Sequence, residues 1–159
     1  MKHKKAFTLI ELLVVIAILA GFVSMLIPNF MNARSKSRDT RRKSDLKQLQ
    51  KALELYRQNH APQVFPTAIP DPPSGFTDSS DASSTLYMNN IPADPITTQR
   101  YYYKSPDPSR NSGTDPTTYE IYACLEDKTD SEKTVCPGNF KDVTGAVCAT
   151  SFCYKLIEP

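Results

Sequence analysis

The most constraining feature of this 159-residue sequence is an apolar run close to its N-terminus. The segment 7–27 has 21 residues and a single charged side chain, Glu11. A helix rises about 1.5 Å per residue, so roughly 20 apolar residues cross the ~30 Å hydrocarbon core of a bilayer. We therefore predict a membrane-spanning helix over 7–27. A short leader, residues 1–6, precedes it and carries Lys2, Lys4 and Lys5.

The positively charged leader would stay in the cytoplasm and direct the rest of the chain to the outside of the membrane. Two general explanations of this N-terminus fit the sequence poorly. A cleaved secretory signal is disfavoured because the best site, after Ala33, has the large Met31 where such sites need a small residue. A plain single-pass anchor accounts for the length of the run. It does not account for Glu11, because a charge at membrane depth costs a few kcal/mol and usually has a partner.

The sequence around the start of the run carries a specific resemblance. Lys5-Ala6-Phe7-Thr8-Leu9-Ile10-Glu11 resembles the processing motif of type IV prepilins and type II secretion pseudopilins. In that family a membrane peptidase cuts before the Phe and methylates the new terminus, which implies cleavage between Ala6 and Phe7 and N-methylation of Phe7. The family usually has Gly before the cut. Because Ala is the next smallest residue, we expect cleavage to be tolerated at a lower rate.

Glu11 and Pro28 also stand where the family places an acidic residue and a helix-kinking proline, fifth and twenty-second from Phe7. In a filament, Glu11 would pair with the N-terminal ammonium of a neighbouring subunit, because a misplaced subunit would leave a buried charge alone. Pro28 lacks a backbone donor, so we expect the helix to kink or melt locally between residues 21 and 28. The resemblance implies an α+β fold in which one extended helix packs its second half on a small antiparallel sheet.

Residues 28–60, which we call the neck, are basic and amphipathic. Residues 34–60 contain nine Lys or Arg against three Asp or Glu, whereas residues 61–159 contain seven against thirteen. An apolar stripe at helical spacing predicts a helix that ends within 59–62. The stripe consists of Leu46, Leu49, Leu53 and Tyr56, flanked by Ala52 and Leu55.

The N-terminal part of the neck, residues 31–45, has almost no large apolar side chain. We therefore expect it not to pack deeply against the rest of the chain. Its positive charge is predicted to face the acidic heads of neighbouring subunits and to help them associate. On this hypothesis, charge reversal at Arg41 and Arg42 reduces assembly without unfolding the head.

The head, residues 61–159, is predicted to consist of a Pro-rich loop (61–100) followed by a β-sheet with disulfide loops (101–159). Ten prolines between 61 and 116 are typical of loops, but recurring apolar and aromatic residues indicate an ordered segment. Pro92-Ala93-Asp94-Pro95 followed by three tyrosines resembles a run that precedes the first strand of major pseudopilins. Alternating residues predict three or four antiparallel strands under the apolar stripe of the neck, within 101–104, 117–125 and 151–157.

Four cysteines, an even number, lie in the part of the chain predicted to be exported, which indicates disulfide bonds. They are Cys124, Cys136, Cys148 and Cys153. Short neighbouring loops favour the pairs 124–136 and 148–153, and crossed pairing stays open. Zinc is disfavoured because the cysteines show no C-x-x-C spacing and no His lies nearby.

Two further residue sets are candidate sites. Asp127, Asp130 and Glu132 place three carboxylates in one loop, and some pseudopilins hold calcium near their C-terminus, so these are candidate calcium ligands. Solvated loop acids are the alternative, and no other cofactor is expected. No enzyme is predicted, because the phosphate-loop and nucleophile-elbow glycine patterns are missing. His60 is better explained as a helix-terminating residue.

Together these features predict a non-enzymatic structural subunit of a type IV pilus, serving adhesion, motility or DNA uptake. It would wait in a bacterial inner membrane, surrounded by lipid. Prepilin peptidase would process it, and copies of it would polymerise into an extracellular filament. The resemblance implies an inner-membrane assembly platform and a cytoplasmic ATPase as further partners.

Two alternatives remain. One is a pseudopilin in a periplasmic pseudopilus of a type II secretion system. The motif at 92–95 favours it, whereas a doubly bridged, Tyr-rich head favours the pilus. The other is a membrane-tethered protein that binds DNA or another ligand and does not polymerise. Nucleic acid is not indicated, because no aromatic residues interleave with the basic ones of the neck.

Overall fold

The computed structural model of the protein describes residues 7–78, 84–104, 117–138, 148 and 150–157, and gives only the backbone of residues 26–29. One long helix precedes a set of short strands. The helix, α1, is Leu9–Asn59, and the strands are β1 (Phe76–Thr77), β2 (Leu86–Met88), β3 (Tyr102–Lys104), β4 (Glu120–Cys124), β5 (Lys133–Val135) and β6 (Phe152–Ile157). The predicted α+β fold, with one long helix and small antiparallel sheets, is confirmed.

Helix α1 is capped at both ends, and it ends within the range 59–62 that the sequence predicts. Thr8 is the N-cap, and the extended backbone of His60 forms the C-cap. The backbone is helical throughout residues 21–28, so the chain does not melt there. The kink at Pro28 stays a prediction. The leader 1–6, with Ala6, also lies outside the described residues.

The described strands form two antiparallel sheets. The larger has the order β3-β4-β6-β5, and the smaller pairs β1 with β2. Three of the four strands of the larger sheet lie in the segments that the alternating pattern predicts. The sequence did not predict β1, β2 or β5, which have two or three residues each and show little alternation of apolar and polar side chains. β3 is equally short, but its run of tyrosines indicated it.

The hydrophobic core lies between the second half of α1 and one face of the larger sheet. The predicted stripe is buried: Leu46, Leu49 and Leu53 have no exposed surface, and Tyr56 packs against the same cluster. Leu55 is half exposed. The sheet contributes the predicted alternating residues, and the Pro-rich segment contributes three more. These residues are Tyr119, Ile121, Ala123 and Leu125 from the sheet region, and Phe65, Phe76 and Ile91 from the Pro-rich segment.

The cysteines form two disulfides in the crossed arrangement, so the favoured pairing of sequence neighbours is wrong. Cys124 bonds to Cys148 and Cys136 to Cys153, with Cα atoms 5.7 and 5.1 Å apart. The sheet order explains this, because β6 lies between β4, which ends at Cys124, and the strand that precedes Cys136. Two strand spacings amount to about 10 Å. That distance is beyond the reach of a disulfide.

Candidate functional site

The first half of α1 contributes nothing to the core of the head. Its large apolar side chains from Phe7 to Met25 are about half exposed or more, and none belongs to the buried clusters of the described residues. This segment is long and apolar enough to cross a membrane, and its apolar window has no buried residue. An unpaired apolar helix of this length needs either lipid or other helices around it.

Glu11 lies in the first turn of this exposed helix and caps it. One of its carboxylate oxygens accepts hydrogen bonds from the backbone N–H of Thr8 at 2.9 Å and from the Thr8 hydroxyl at 2.7 Å. The Glu11 N–H in turn donates to the Thr8 hydroxyl at 3.3 Å. This reciprocal capping box satisfies two of the free donors at the helix start. The structure therefore gives Glu11 a partner within its own chain.

Arg42 is the centre of a buried polar cluster that joins the neck to the head. Its guanidinium has no exposed surface and donates through all five N–H groups. Two of these bonds, of 2.8 and 2.9 Å, form a bidentate pair with the fully buried carboxylate of Asp94. The others reach Asp39 and Glu126 at 2.8 Å and Gln99 at 3.1 Å. Burial alone would lower the pKa of Arg42, but the bonds to these carboxylates outweigh it and raise the pKa.

Neighbouring residues of α1 extend this cluster along the head. The Asp39 carboxylate accepts the backbone N–H groups of Glu126 and Asp127 at 2.8–3.1 Å. Arg38 forms a second bidentate pair with Glu126, and that bond lowers the pKa of the Glu126 carboxyl. The Tyr101 hydroxyl donates to Asp45 at 2.7 Å. Burial followed by this bond raises the pKa of Tyr101. We call Asp39, Arg42, Asp94 and Glu126 the polar latch.

The polar latch corrects two predictions about the neck. The C-terminal part of the segment 31–45 does pack deeply on the head: Asp39, Arg42 and Asp45 are buried, and ion pairs take the place of apolar contacts, whereas residues 31–34 are exposed. The charges of Arg38, Arg42 and Lys43 are also paired within the subunit, so they are not available to neighbouring heads. Charge reversal at Arg42 would therefore disrupt the head itself, whereas Arg41 is mostly exposed and lies 3.8 Å from Asp45.

Sequence reasoning missed these residues although two signals were present. Asp39, Arg42 and Asp45 continue the helical spacing of the apolar stripe toward the N-terminus, so they lie on the same face of α1. Asp94 is the acid of the motif at 92–95, where it also accepts the backbone N–H of Ile96 at 2.8 Å. The motif therefore places a carboxylate where the helix supplies the matching guanidinium.

The loop 127–132, which we call the acidic loop, has protein partners for all three candidate calcium ligands. The Lys43 ammonium contacts both oxygens of Asp130 at 2.7–2.8 Å and one oxygen of Glu132 at 2.7 Å. Asp127 accepts from the backbone N–H and the hydroxyl of Thr129. Burial raises the pKa of Asp130, but the bonds from the Lys43 ammonium and from the Glu132 N–H together outweigh it, so the net change is downward.

His60 has the helix-terminating position that the sequence predicts. Its Nδ1 lies 2.8 Å from the carbonyl oxygen of Tyr56, and its ring stacks on the Tyr56 ring at 3.9 Å. Its Nε2 lies 2.7 Å from a carboxylate oxygen of the buried Asp78. These contacts hold the end of α1 against β1, which is a structural role.

Comparison with known proteins gives matches to the N-terminal region and to longer stretches of the chain. The family described as the prokaryotic N-terminal methylation motif matches residues 1–27. Type II secretion system core protein G of Klebsiella pneumoniae is 31% identical over 101 residues, covering 60% of this chain and 71% of that protein. The protein of the same name from Aeromonas hydrophila is 31% identical over 105 residues, covering 59% and 68%.

A pilus protein is also similar. The type IV wide pilus major component PilA4 of Thermus thermophilus is 46% identical over 57 residues, covering 36% of this chain and 44% of that protein. No solved structure shows significant similarity to the chain. The alignments with core protein G are longer than the leader and α1 together, so they include part of the head.

Proposed function

The chain belongs to the family of type IV pilins and type II secretion pseudopilins, and we propose that it is a structural, non-enzymatic subunit of a type IV pilus. The observation that carries this proposal is the division of α1 into two halves. The first half is apolar and exposed, and none of its described side chains belongs to the buried core, whereas one face of the second half is buried against the head. A helix divided in this way can pass from lipid into a bundle of identical helices without changing the fold of the head.

Processing would convert the chain into its assembling form. Prepilin peptidase would remove residues 1–6 and methylate Phe7, as the match of residues 1–27 to the methylation motif supports. The mature subunit would then stay in the bacterial inner membrane through the exposed half of α1. An assembly platform and a cytoplasmic ATPase would draw it into the filament, as the family membership implies.

Within the filament, we propose that Glu11 sets the position of each subunit. The new ammonium of Phe7 must be neutralised once helices surround it, because an unpaired charge in an apolar bundle costs several kcal/mol. A carboxylate of a neighbouring subunit can do this only if the two helices are in register. In the single chain the capping bonds from Thr8 hold the Glu11 carboxylate near the helix start.

The polar latch would carry mechanical load. Subunits of a filament are held by their helices, so force on the filament reaches a head only through its attachment to α1. The attachment here combines the apolar core with the two bidentate Arg–carboxylate pairs of Arg42 and Arg38. Bidentate pairs fix geometry as well as adding binding energy, which suits a rigid junction.

A pseudopilus subunit is the second candidate, and one observation favours it. The alignments with core protein G reach into the head, whereas the alignment with PilA4 is no longer than α1 and its flanking residues. The two crossed disulfides support the pilus instead, because they brace a head that would be exposed outside the cell. A membrane tether that binds a ligand without polymerising leaves Glu11 and the processing motif without a role.

The two filament types differ in where the head is found. An antibody against the head, used for immunogold electron microscopy on intact cells of the native host, should label filaments that extend from the surface. Deletion of the gene should remove these filaments and leave the set of secreted proteins unchanged. If intact cells carry no surface label and deletion of the gene abolishes protein secretion, the pseudopilus is the better explanation than the pilus. An unprocessed chain that stays in the membrane would contradict both.

A further inference from the structure

The acidic loop brings together a set of oxygens that resembles part of a calcium site. Ca²⁺ takes about 6–8 oxygen ligands at roughly 2.3–2.6 Å, and carboxylates are its usual protein ligands. Asp127, Asp130 and Glu132 are within one short loop, next to the neck. The fit of the loop to a metal ion therefore depends on what these carboxylates contact.

A lysine of α1 contacts two of the three carboxylates. The Lys43 ammonium has three N–H donors and lies 2.7–2.8 Å from three carboxylate oxygens, two of Asp130 and one of Glu132. The side chain is about one-fifth exposed, and its ammonium lies 5.3 Å from the centre of the Tyr154 ring. Contact from the carboxylates on one side and from the ring on another fixes the ammonium in place.

The carboxylate oxygens of Asp127 are engaged as well. One oxygen of Asp127 accepts from Thr129 at 2.8 Å (N–H) and 2.6 Å (hydroxyl), and the other lies 3.8 Å from the ammonium of Lys36. One oxygen of Asp130 additionally accepts the Glu132 N–H at 2.8 Å. To bind here, a divalent cation would have to displace the Lys43 ammonium from the carboxylate oxygens. The cation and the ammonium would also repel each other.

We propose that the ammonium of Lys43 is the resident cation of the acidic loop, in the position that a divalent ion would otherwise take, and that the fold of the head is therefore independent of calcium. The lysine ties the loop to α1 in the same way as a metal ion shared between two segments. It does so permanently, whatever the calcium concentration around the filament. This inference does not depend on whether the filament is a pilus or a pseudopilus.

The test compares the full chain in detergent micelles with its Lys43→Met variant. Thermal unfolding of each is followed by the near-ultraviolet circular dichroism of the head tyrosines, in millimolar calcium chloride and in EDTA. The unfolding temperature of the wild type should be the same in both buffers. In EDTA, Lys43→Met should unfold about 4–8 °C lower. Calcium should restore at least half of that loss, because the carboxylates are then free to bind it.

Lys47→Met is the matched control, because Lys47 is exposed on α1 one turn further along. It should unfold like the wild type in both buffers. A wild-type chain that gains stability in calcium would overturn the proposal. So would a Lys43→Met variant that matches the control or that loses stability without recovery in calcium. If Lys43→Met does not fold, calorimetric titration of calcium into the wild type decides: saturable binding contradicts the proposal, and its absence supports it.

Discussion

Replacement of Arg42 by Met should lower the free energy of unfolding of the head by about 3–5 kcal/mol, the cost of removing one partner of a buried ion pair. Met fills much of the same volume, so the loss would come from the charges. Of the two buried carboxylates, Asp94 would lose both bonds of its bidentate pair and Asp39 would lose one bond from the guanidinium. Urea unfolding of the full chain in detergent micelles, followed by tyrosine circular dichroism, measures the change.

Arg41→Met provides the control, because Arg41 is the next residue along α1 and is mostly exposed. An exposed ion pair contributes about 0–1 kcal/mol, so this variant should remain close to the wild type. In a double-mutant cycle, the variant that carries both Arg42→Met and Asp94→Asn should lose less unfolding free energy than the sum of the two single variants, by about 1–3 kcal/mol. Equal stability of the Arg42 and Arg41 variants would show that the polar latch does not hold the head.

Replacement of Glu11 by Gln should reduce the yield of assembled filaments by more than about tenfold, the effect of 1.4 kcal/mol in one equilibrium constant. Gln at the third helical position also completes a capping box, so this variant keeps the bonds to Thr8 and loses only the charge. The ammonium of Phe7 would then be buried without a counterion. Shearing the filaments from cells and comparing them with the total subunit gives the yield.

Ser24→Ala is the control for this change, since Ser24 is a polar residue of the same segment and its hydroxyl donates to its own helix, to the carbonyl oxygen of Gly21, at 2.8 Å. Its filaments should form at the wild-type level. Membrane insertion of both variants should be normal, because neither adds a charge to the apolar run. Normal filaments from Glu11→Gln would remove the role in register that we propose for this residue.

The sequence predicted the parts of the fold that depend on apolar periodicity. Leu46, Leu49 and Leu53 repeat at the spacing of a helix, and Tyr119, Ile121 and Ala123 repeat at that of a strand. Burial of each set against the other follows directly from these periods. The end of α1 was likewise predictable, because a proline follows at 62 and stops the helix.

The polar latch between α1 and the head was not predictable from periodicity in the same way. A charged side chain such as Arg42 is normally assigned to solvent, and its burial depends on partners that lie 52 and 84 residues away in sequence, Asp94 and Glu126. The disulfide pairing failed for a related reason. Sequence distance favours neighbouring cysteines, but the insertion of β6 beside β4 sets which sulfur atoms can meet.

The non-reduced intact mass of the subunit in filaments sheared from cells tests the central claim, that this chain is processed and polymerises through its apolar helix. The account predicts a species that begins at methylated Phe7 and lacks four thiol hydrogens, because both disulfides are closed. A subunit that retains residues 1–6 in otherwise functional cells would contradict it. The same result would make the membrane tether the better explanation of the chain.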